Sequence, residues 1–105
     1  MGPFRTCLLG RLDRGYAAYA ECAACGQPPS QVLQAAYFDT VNPYPPALRC
    51  LLEAVGPQRV VFGSDYPHVT GAEDRSLEAL QRVGLEPEAM EAVLWRNARD
   101  QLGLL

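Results

Sequence analysis

One pattern in the middle of the chain constrains its fold most. Two short runs rich in β-branched and aromatic residues, Ala36–Val41 and Arg59–Gly63, flank an amphipathic segment, Pro45–Val55. In that segment leucines and a valine recur at the i, i+3, i+4 and i+7 spacing of a helix with one buried face. Strand, helix and strand in this order favour two parallel strands joined by a right-handed crossover. The sequence therefore predicts the α/β class.

Three further helices are predicted around this unit. A short helix runs from Gln31 to Ala35, a second from Asp74 to Gly84, and a third begins at Pro87. The second is marked by Leu77, Leu80 and Val83, and Gly103 is expected to end the third. The inward face of the third helix is predicted to hold Met90, Val93, Leu94, Ala98 and either Gln101 or Leu102. The segment before Pro28 is weakly patterned, and no element is predicted there.

Charge and hydropathy argue against two classes of partner. The chain has 9 Lys+Arg against 12 Asp+Glu and a formal charge of −3, so it lacks the basic excess that binding to a phosphate backbone requires. No apolar run approaches the roughly 20 residues of a membrane helix. Met1–Leu9 has one arginine and no long apolar stretch, so it does not read as a secretory signal. We therefore expect no nucleic-acid or membrane partner, and a cytoplasmic location.

The cysteines allow a thiol hypothesis. Four of them, Cys7, Cys22, Cys25 and Cys50, are few for a disulfide scaffold, so we expect reduced thiols. Cys22 and Cys25 have the CxxC spacing of zinc and redox sites, yet no second pair and no histidine pair accompanies them. The alanines around them favour small core residues instead. A thiol or zinc module built on this pair remains a third hypothesis.

The segment after the second strand contains the main candidate for chemistry. Gly63–His68 follows the strand, and ligand sites of α/β proteins gather at the carboxyl ends of parallel strands. Asp65 there either holds a metal ion, takes a proton, or caps a turn. His68 is either a ligand or substrate contact, or an exposed loop residue. Asp39 in the first strand either faces the same edge or caps its own strand.

Four motifs together resemble a known family. GSDYPH after VVF, an LLEAVGPQR helix end, a YFDT strand and a closing NARDQLGL are similar to the C-terminal part of the amidohydrolase-related metal-dependent hydrolases. Within that superfamily they resemble most the aminocarboxymuconate-semialdehyde decarboxylase-like branch. The resemblance runs from Gly10 to Leu104. It implies a partial (β/α)₈ TIM barrel, about the last quarter, with Ala36–Val41 as strand seven and Arg59–Gly63 as strand eight. Residues 1–105 are then expected to form one incomplete domain.

The resemblance also implies roles for three residues. Asp65 matches the aspartate that binds the catalytic metal, usually zinc, and exchanges protons with the metal-bound water. Arg11 matches an arginine that reaches a substrate carboxylate, in some members across a dimer interface, and His68 is expected to contact substrate. A guanidinium suits a planar carboxylate, although a lone arginine is also an ordinary surface residue. The implied reaction is hydrolysis, or decarboxylation, of a small carboxylated or amide-bearing metabolite.

The chain departs from the family in its histidines. Family members carry a His-x-His pair after the first strand and single histidines after the fifth and sixth, whereas the one histidine here, His68, matches none of these. A catalytic zinc needs about three protein ligands and an open position, so we expect the isolated chain to be inactive. The alternative is a non-catalytic assembly fragment, because uncovered strand edges and apolar faces favour self-association or docking onto a partner.

Overall fold

The computed structural model describes residues 8–68 and 73–104, with side chains described from residue 75 in the second range. Helices α1 (Leu9–Ala18), α2 (Ala20–Ala23) and α3 (Pro29–Gln34) precede strand β1 (Phe38–Asp39). Helix α4 (Pro45–Val55) and a 3₁₀ turn (Pro57–Arg59) lead to strand β2 (Val60–Val61). Helices α5 (Glu73–Val83) and α6 (Pro87–Glu91), a π-helical segment (Ala92–Arg96) and α7 (Asn97–Leu102) follow. None of these helices combines the length and apolar character that a membrane span requires.

The two strands form the predicted parallel pair. Phe38 lies opposite Val60 and Asp39 opposite Val61, and α4 connects the strands. Both strands are shorter than the apolar runs predicted, because the 3₁₀ turn takes up Arg59 and the backbone leaves the ladder after residues 39 and 61. The order and direction of the βαβ unit are confirmed, and its strand bounds are corrected.

Helix α4 follows its sequence pattern closely. It begins at Pro45, whose fixed φ and missing N–H suit the first helical position, and it ends before Gly56, which has φ 81°. Its core-facing side chains are those predicted from the spacing. Leu48 and Leu51 are fully buried and Leu52 is nearly so. Burial of each stabilises the fold by about 1.5–3 kcal/mol relative to an exposed side chain.

The core joins both strands to three helical elements. Its buried side chains are Phe38, Leu51, Leu52, Val60, Leu80 and Val93. Helix α5 has nearly the predicted bounds, but Leu77 is exposed while Ser76, Ala79 and Leu80 are buried. The Arg49 guanidinium of α4 donates a hydrogen bond to the Arg82 carbonyl oxygen at 2.8 Å. This bond satisfies a carbonyl in the last turn of α5, where the helix itself offers no donor.

The segment before Pro28, predicted without structure, is helical. Helices α1 and α2 occupy it, and neither contains a buried residue. On α1 the apolar residues Leu9, Leu12 and Tyr16 recur at the i, i+3 and i+7 spacing of a helix, a signal that the prediction overlooked. Helix α1 packs on α3. The Asp13 carboxylate accepts a hydrogen bond from the Ser30 N–H at 2.9 Å, which satisfies a free donor in the first turn of α3.

The inward face of the last helix agrees with the prediction in part, because Val93 is buried and Met90 packs against the core. Val93 and Asn97 are buried, whereas Leu94 and Leu102 are exposed. Asn97 follows Met90 and Val93 by seven and four positions, which is the spacing of one helix face, and it lies inward although it is polar. A prediction that considers only apolar residues therefore selects Leu94 and misses Asn97. Gly103, with φ 65°, ends α7 as predicted.

Candidate functional site

The carboxyl ends of β1 and β2 lie at one edge of the sheet and bring the predicted acidic residues to the same side of the fold. Asp39 ends β1, and Asp65 follows the end of β2 by four positions. Because the strands are parallel, both loops leave the sheet at the same edge. Ligand sites of α/β proteins occur at this edge. We call the loop residues 62–68 the Asp65 loop.

Thr40 joins the two strand ends. It is fully buried, and its hydroxyl accepts a hydrogen bond from the Gly63 N–H at 3.1 Å and donates one to the Gly63 carbonyl oxygen at 3.3 Å. A Cβ added at Gly63 would lie 3.3 Å from Val41 Cγ2 and 3.6 Å from Asp39 Cβ. The hydroxyl thus continues the pairing where the backbone ladder stops. Sequence reasoning missed Thr40, although a threonine between Asp39 and Val41 at the end of a predicted strand was a visible signal.

A tight turn displays the Asp65 side chain. Asp65 has φ 62°, a left-handed conformation that aspartate tolerates better than most residues, and it is exposed. Its carbonyl oxygen accepts the His68 N–H at 2.9 Å, and the Ser64 hydroxyl oxygen accepts the Tyr66 N–H at 3.3 Å. These bonds fix the Asp65 loop through its main chain. The carboxylate is therefore accessible to a small molecule at the sheet edge, and the exposed His68 belongs to the same turn.

Arg11 lies in a different part of the molecule. It is exposed on α1 and lines a surface groove of about 580 Å³. The groove is lined by Gly10, Arg11, Arg14, Gly15, Ala18 and Tyr19. All of these belong to α1 or directly follow it, so the groove and the Asp65 loop share no residue. The structure brings Asp65 and His68 together but does not place Arg11 beside them.

The residues present do not fit a complete zinc site. Among the side chains of residues 8–68 and 75–104, no group of three His, Cys, Asp or Glu could hold a metal ion. A catalytic zinc requires about three such ligands. Asp65 can serve as one carboxylate ligand and no more. No catalytic step through a metal therefore follows from the described side chains.

Asn97 holds the strand that leads to the Asp65 loop. Its buried side-chain amide donates to the Pro57 and Val60 carbonyl oxygens at 2.7 and 2.8 Å. Four residues before Asn97, the Val93 carbonyl oxygen accepts a hydrogen bond from the Phe62 N–H at 2.9 Å. The C-terminal helix thus fixes β2 along its length. The NAR motif contained this residue, but its spacing alone did not show which way the side chain faced.

The CxxC cysteines are exposed, which corrects the expectation of small core residues. Cys22 and Cys25 are free thiols, and Cys50 is half-buried. Cys22 lies in α2 and Cys25 in the turn after it. Neither contributes to the Asp65 loop or lines the groove of Arg11.

Comparison with known proteins agrees with the fold. A family model described as Amidohydrolase matches residues 8–104. The crystal structure of Metarhizium anisopliae IDCase in apo form superposes on the chain with a TM-score of 0.75 at 24% sequence identity. The match covers 97% of this chain and 31% of IDCase, so the chain spans less than a third of the length of that protein. The likeness shows the fold, which is that of a small part of a TIM-barrel neighbour.

Proposed function

Because the chain belongs to the amidohydrolase family, we propose that it forms the C-terminal part of the barrel of a cytoplasmic hydrolase or decarboxylase. Its substrate is a small carboxylated or amide-bearing metabolite, and it belongs to the aminocarboxymuconate-semialdehyde decarboxylase-like branch. In this proposal β1 is strand seven and β2 is strand eight of a (β/α)₈ barrel. The parallel βαβ unit and its likeness to a part of IDCase support the assignment.

The exposed Asp65 carboxylate, held in a fixed turn at the carboxyl edge of the sheet, is the observation that carries the proposal. A carboxylate at this position can take a proton from a water molecule as the water attacks the substrate, and can return it to the leaving group. His68 in the same turn is proposed to contact the substrate. Members of the family typically use a divalent metal, zinc in most cases, and Asp65 would supply one ligand.

Arg11 is proposed to bind the carboxylate of the substrate. Its guanidinium is exposed in a groove large enough for a small molecule, and a guanidinium can donate two parallel hydrogen bonds to a carboxylate. The groove shares no residue with the Asp65 loop. We therefore propose that the chain forms a homo-oligomer in which Arg11 binds the substrate at the site of a second copy.

The incomplete donor set leads us to propose that the 105-residue chain has little or no activity alone. Zinc analysis and turnover assays on the purified chain test this statement. We expect less than one zinc per chain, and no hydrolysis or CO₂ release beyond that of Asp65→Asn. Stoichiometric zinc with turnover that disappears in Asp65→Asn would contradict the proposed inactivity.

A chimera tests the role of Asp65 where the rest of a barrel is present. In it, this chain replaces the matched part of IDCase, and the activity of IDCase on its own substrate is measured. We expect the chimera to retain activity and Asp65→Asn to lose it. Asp100→Asn, which changes an exposed aspartate on α7, is the matched control and should stay active. Equal activity of both variants would contradict the catalytic role of Asp65.

An assembly fragment is the second candidate, and exposed apolar side chains within residues 95–104 favour it. Trp95 is 46% exposed, Leu102 70% and Leu104 60%. Such a surface favours association with a further copy or with a partner. Size-exclusion chromatography with light scattering should then show concentration-dependent oligomers that a Leu102→Ser, Leu104→Ser double variant reduces. A monomer at every concentration would contradict this candidate.

A further inference from the structure

We propose that Cys22 and Cys25 form a redox-active dithiol, which a low-molecular-weight disulfide such as glutathione disulfide oxidises reversibly to an intrachain disulfide. The proposal is independent of the proposed function, since neither cysteine belongs to the Asp65 loop or to the groove of Arg11. Both thiols are free and both residues are exposed. They are therefore accessible to a small oxidant from solvent.

The backbone brings the two cysteines close enough to react. The Cys25 N–H donates to the Cys22 carbonyl oxygen at 3.3 Å, and the Cys22 N–H donates to the Tyr19 carbonyl oxygen at 3.1 Å. A hydrogen-bonded four-residue turn holds its end Cα atoms within about 7 Å, and a disulfide spans about 4.4–6.8 Å between Cα atoms. Side chains three residues apart on a helical turn also lie on one face. The pair therefore lies within bridging reach.

Closing the bond requires a small local adjustment that the surrounding chain permits. Cβ atoms three apart on a helix are about 5–6 Å from each other, while a disulfide places them about 3.8 Å apart. Cys25 lies beyond the end of α2, and Ala23 and Ala24 between the cysteines carry only methyl groups. Residues 17–27 are all exposed. No core contact has to break for the turn to tighten.

The reaction balances as two thiol–disulfide exchanges. The thiolate of one cysteine attacks a sulfur of the small disulfide, whose S–S bond breaks, and the departing thiolate takes up a proton. The second cysteine then attacks the mixed disulfide as its thiolate. The Cys22–Cys25 bond forms and the other half of the small disulfide leaves as a thiol. Two protein thiols are oxidised and one disulfide is reduced to two small thiols.

The short ring makes this bond a reversible one. A disulfide stabilises a fold more as the loop it closes becomes longer, and this bond would close a ring over four residues. It would therefore stabilise the chain little and be open to reduction by thiols. Cys50 is half-buried on α4 and has no cysteine at this spacing, which makes it a suitable internal control.

Mass spectrometry of one peptide tests the proposal. Trypsin cleaves after arginine, and peptide 15–49 contains Cys22 and Cys25 but neither Cys7 nor Cys50. The full chain is reduced, exposed to glutathione disulfide, alkylated and digested. We expect peptide 15–49 without alkylation and lighter by two hydrogen atoms, and recovery of two alkylated cysteines after dithiothreitol. Cys50→Ser should behave identically.

Two variants and one condition separate the proposal from general thiol reactivity. Cys22→Ser and Cys25→Ser should each retain a stable glutathione adduct, because the second exchange has lost its nucleophile. Peptide 15–49 should also form the bond faster in the native chain than in urea. The proposal is overturned by persistent adducts on the unmutated pair, by cross-links to Cys7 or Cys50 in its place, or by equal rates in the native and urea-unfolded chains.

Discussion

Residues 8–37 and residues 38–104 differ in the contacts that stabilise them. The first region contains α1, α2 and α3 and not one buried residue, whereas every buried side chain that the structure describes lies in the second. In the first region the half-buried Leu33 of α3 packs against the core, while α1 is held by its packing on α3 and by the Asp13 hydrogen bond. The βαβ unit and the C-terminal helix form the apolar core itself. We therefore expect the helix that contains Arg11 to be less stable than the strands that lead to Asp65.

Truncation of a core side chain should give the largest difference in stability loss between the two regions. Leu51 is fully buried in α4, and Leu51→Ala should lower the free energy of unfolding by about 2–5 kcal/mol through lost burial and a cavity. Leu12→Ala on α1, where the side chain is 45% exposed, should change it by less than about 0.5 kcal/mol. Urea unfolding followed by circular dichroism measures both. Similar losses would mean that the two regions share one core.

The next largest effect is expected at Asn97. Asn97→Ala removes two hydrogen bonds and leaves the Pro57 and Val60 carbonyl oxygens without that donor. The loss should be about 1–3 kcal/mol. The control, Asn42→Ala, changes an exposed asparagine and should stay close to the unmutated chain. An unfolding curve for Asn97→Ala that coincides with that control would show that the helix does not hold β2.

Glycine substitutions should change stability in opposite directions in the two regions. Gly15→Ala on α1 meets no heavy atom within 4 Å and should stabilise the helix by about 0.5–1 kcal/mol. Gly63→Ala brings a Cβ to 3.3 Å from Val41 Cγ2 and should cost about 1 kcal/mol through overpacking. Thermal melts of the two variants measure the difference. A stabilising Gly63→Ala would contradict the close approach of the strand ends.

The smallest effect is expected at the contact between α1 and α3. Asp13→Ala removes the acceptor of the Ser30 N–H and should cost about 0.5–1 kcal/mol, confined to the N-terminal helices. Asp13→Asn keeps an acceptor oxygen and should restore most of the loss. Hydrogen exchange at the amides of α3 reports the change. Equal exchange in Asp13→Ala and the unmutated chain would show that this bond contributes nothing.

Prediction from sequence succeeded where burial against the core requires apolar residues at a regular spacing. The bounds of α4, its three leucines, the parallel strand order and the glycine after α7 all followed from spacing and from Pro and Gly chemistry. It failed for α1 and α2, which contain no buried residue, and it missed the polar Asn97 on the inward face of the last helix. At the candidate site, the position of Asp65 after a strand was predictable. Its roles as a metal ligand and a proton acceptor remain predictions.

The sequence by itself determined the α/β class, the βαβ order and the family resemblance, because these depend on local spacing and on short motifs read in order. Only the tertiary structure decided that Thr40 and Gly63 join the strand ends, that Asn97 turns inward to β2, and that Arg11 lies in a groove apart from Asp65. The first two facts depend on contacts between residues far apart in the chain, and the third on which face of α1 remains exposed. The local spacing of apolar residues shows which face of a helix or strand is apolar. It does not show which residues that face contacts.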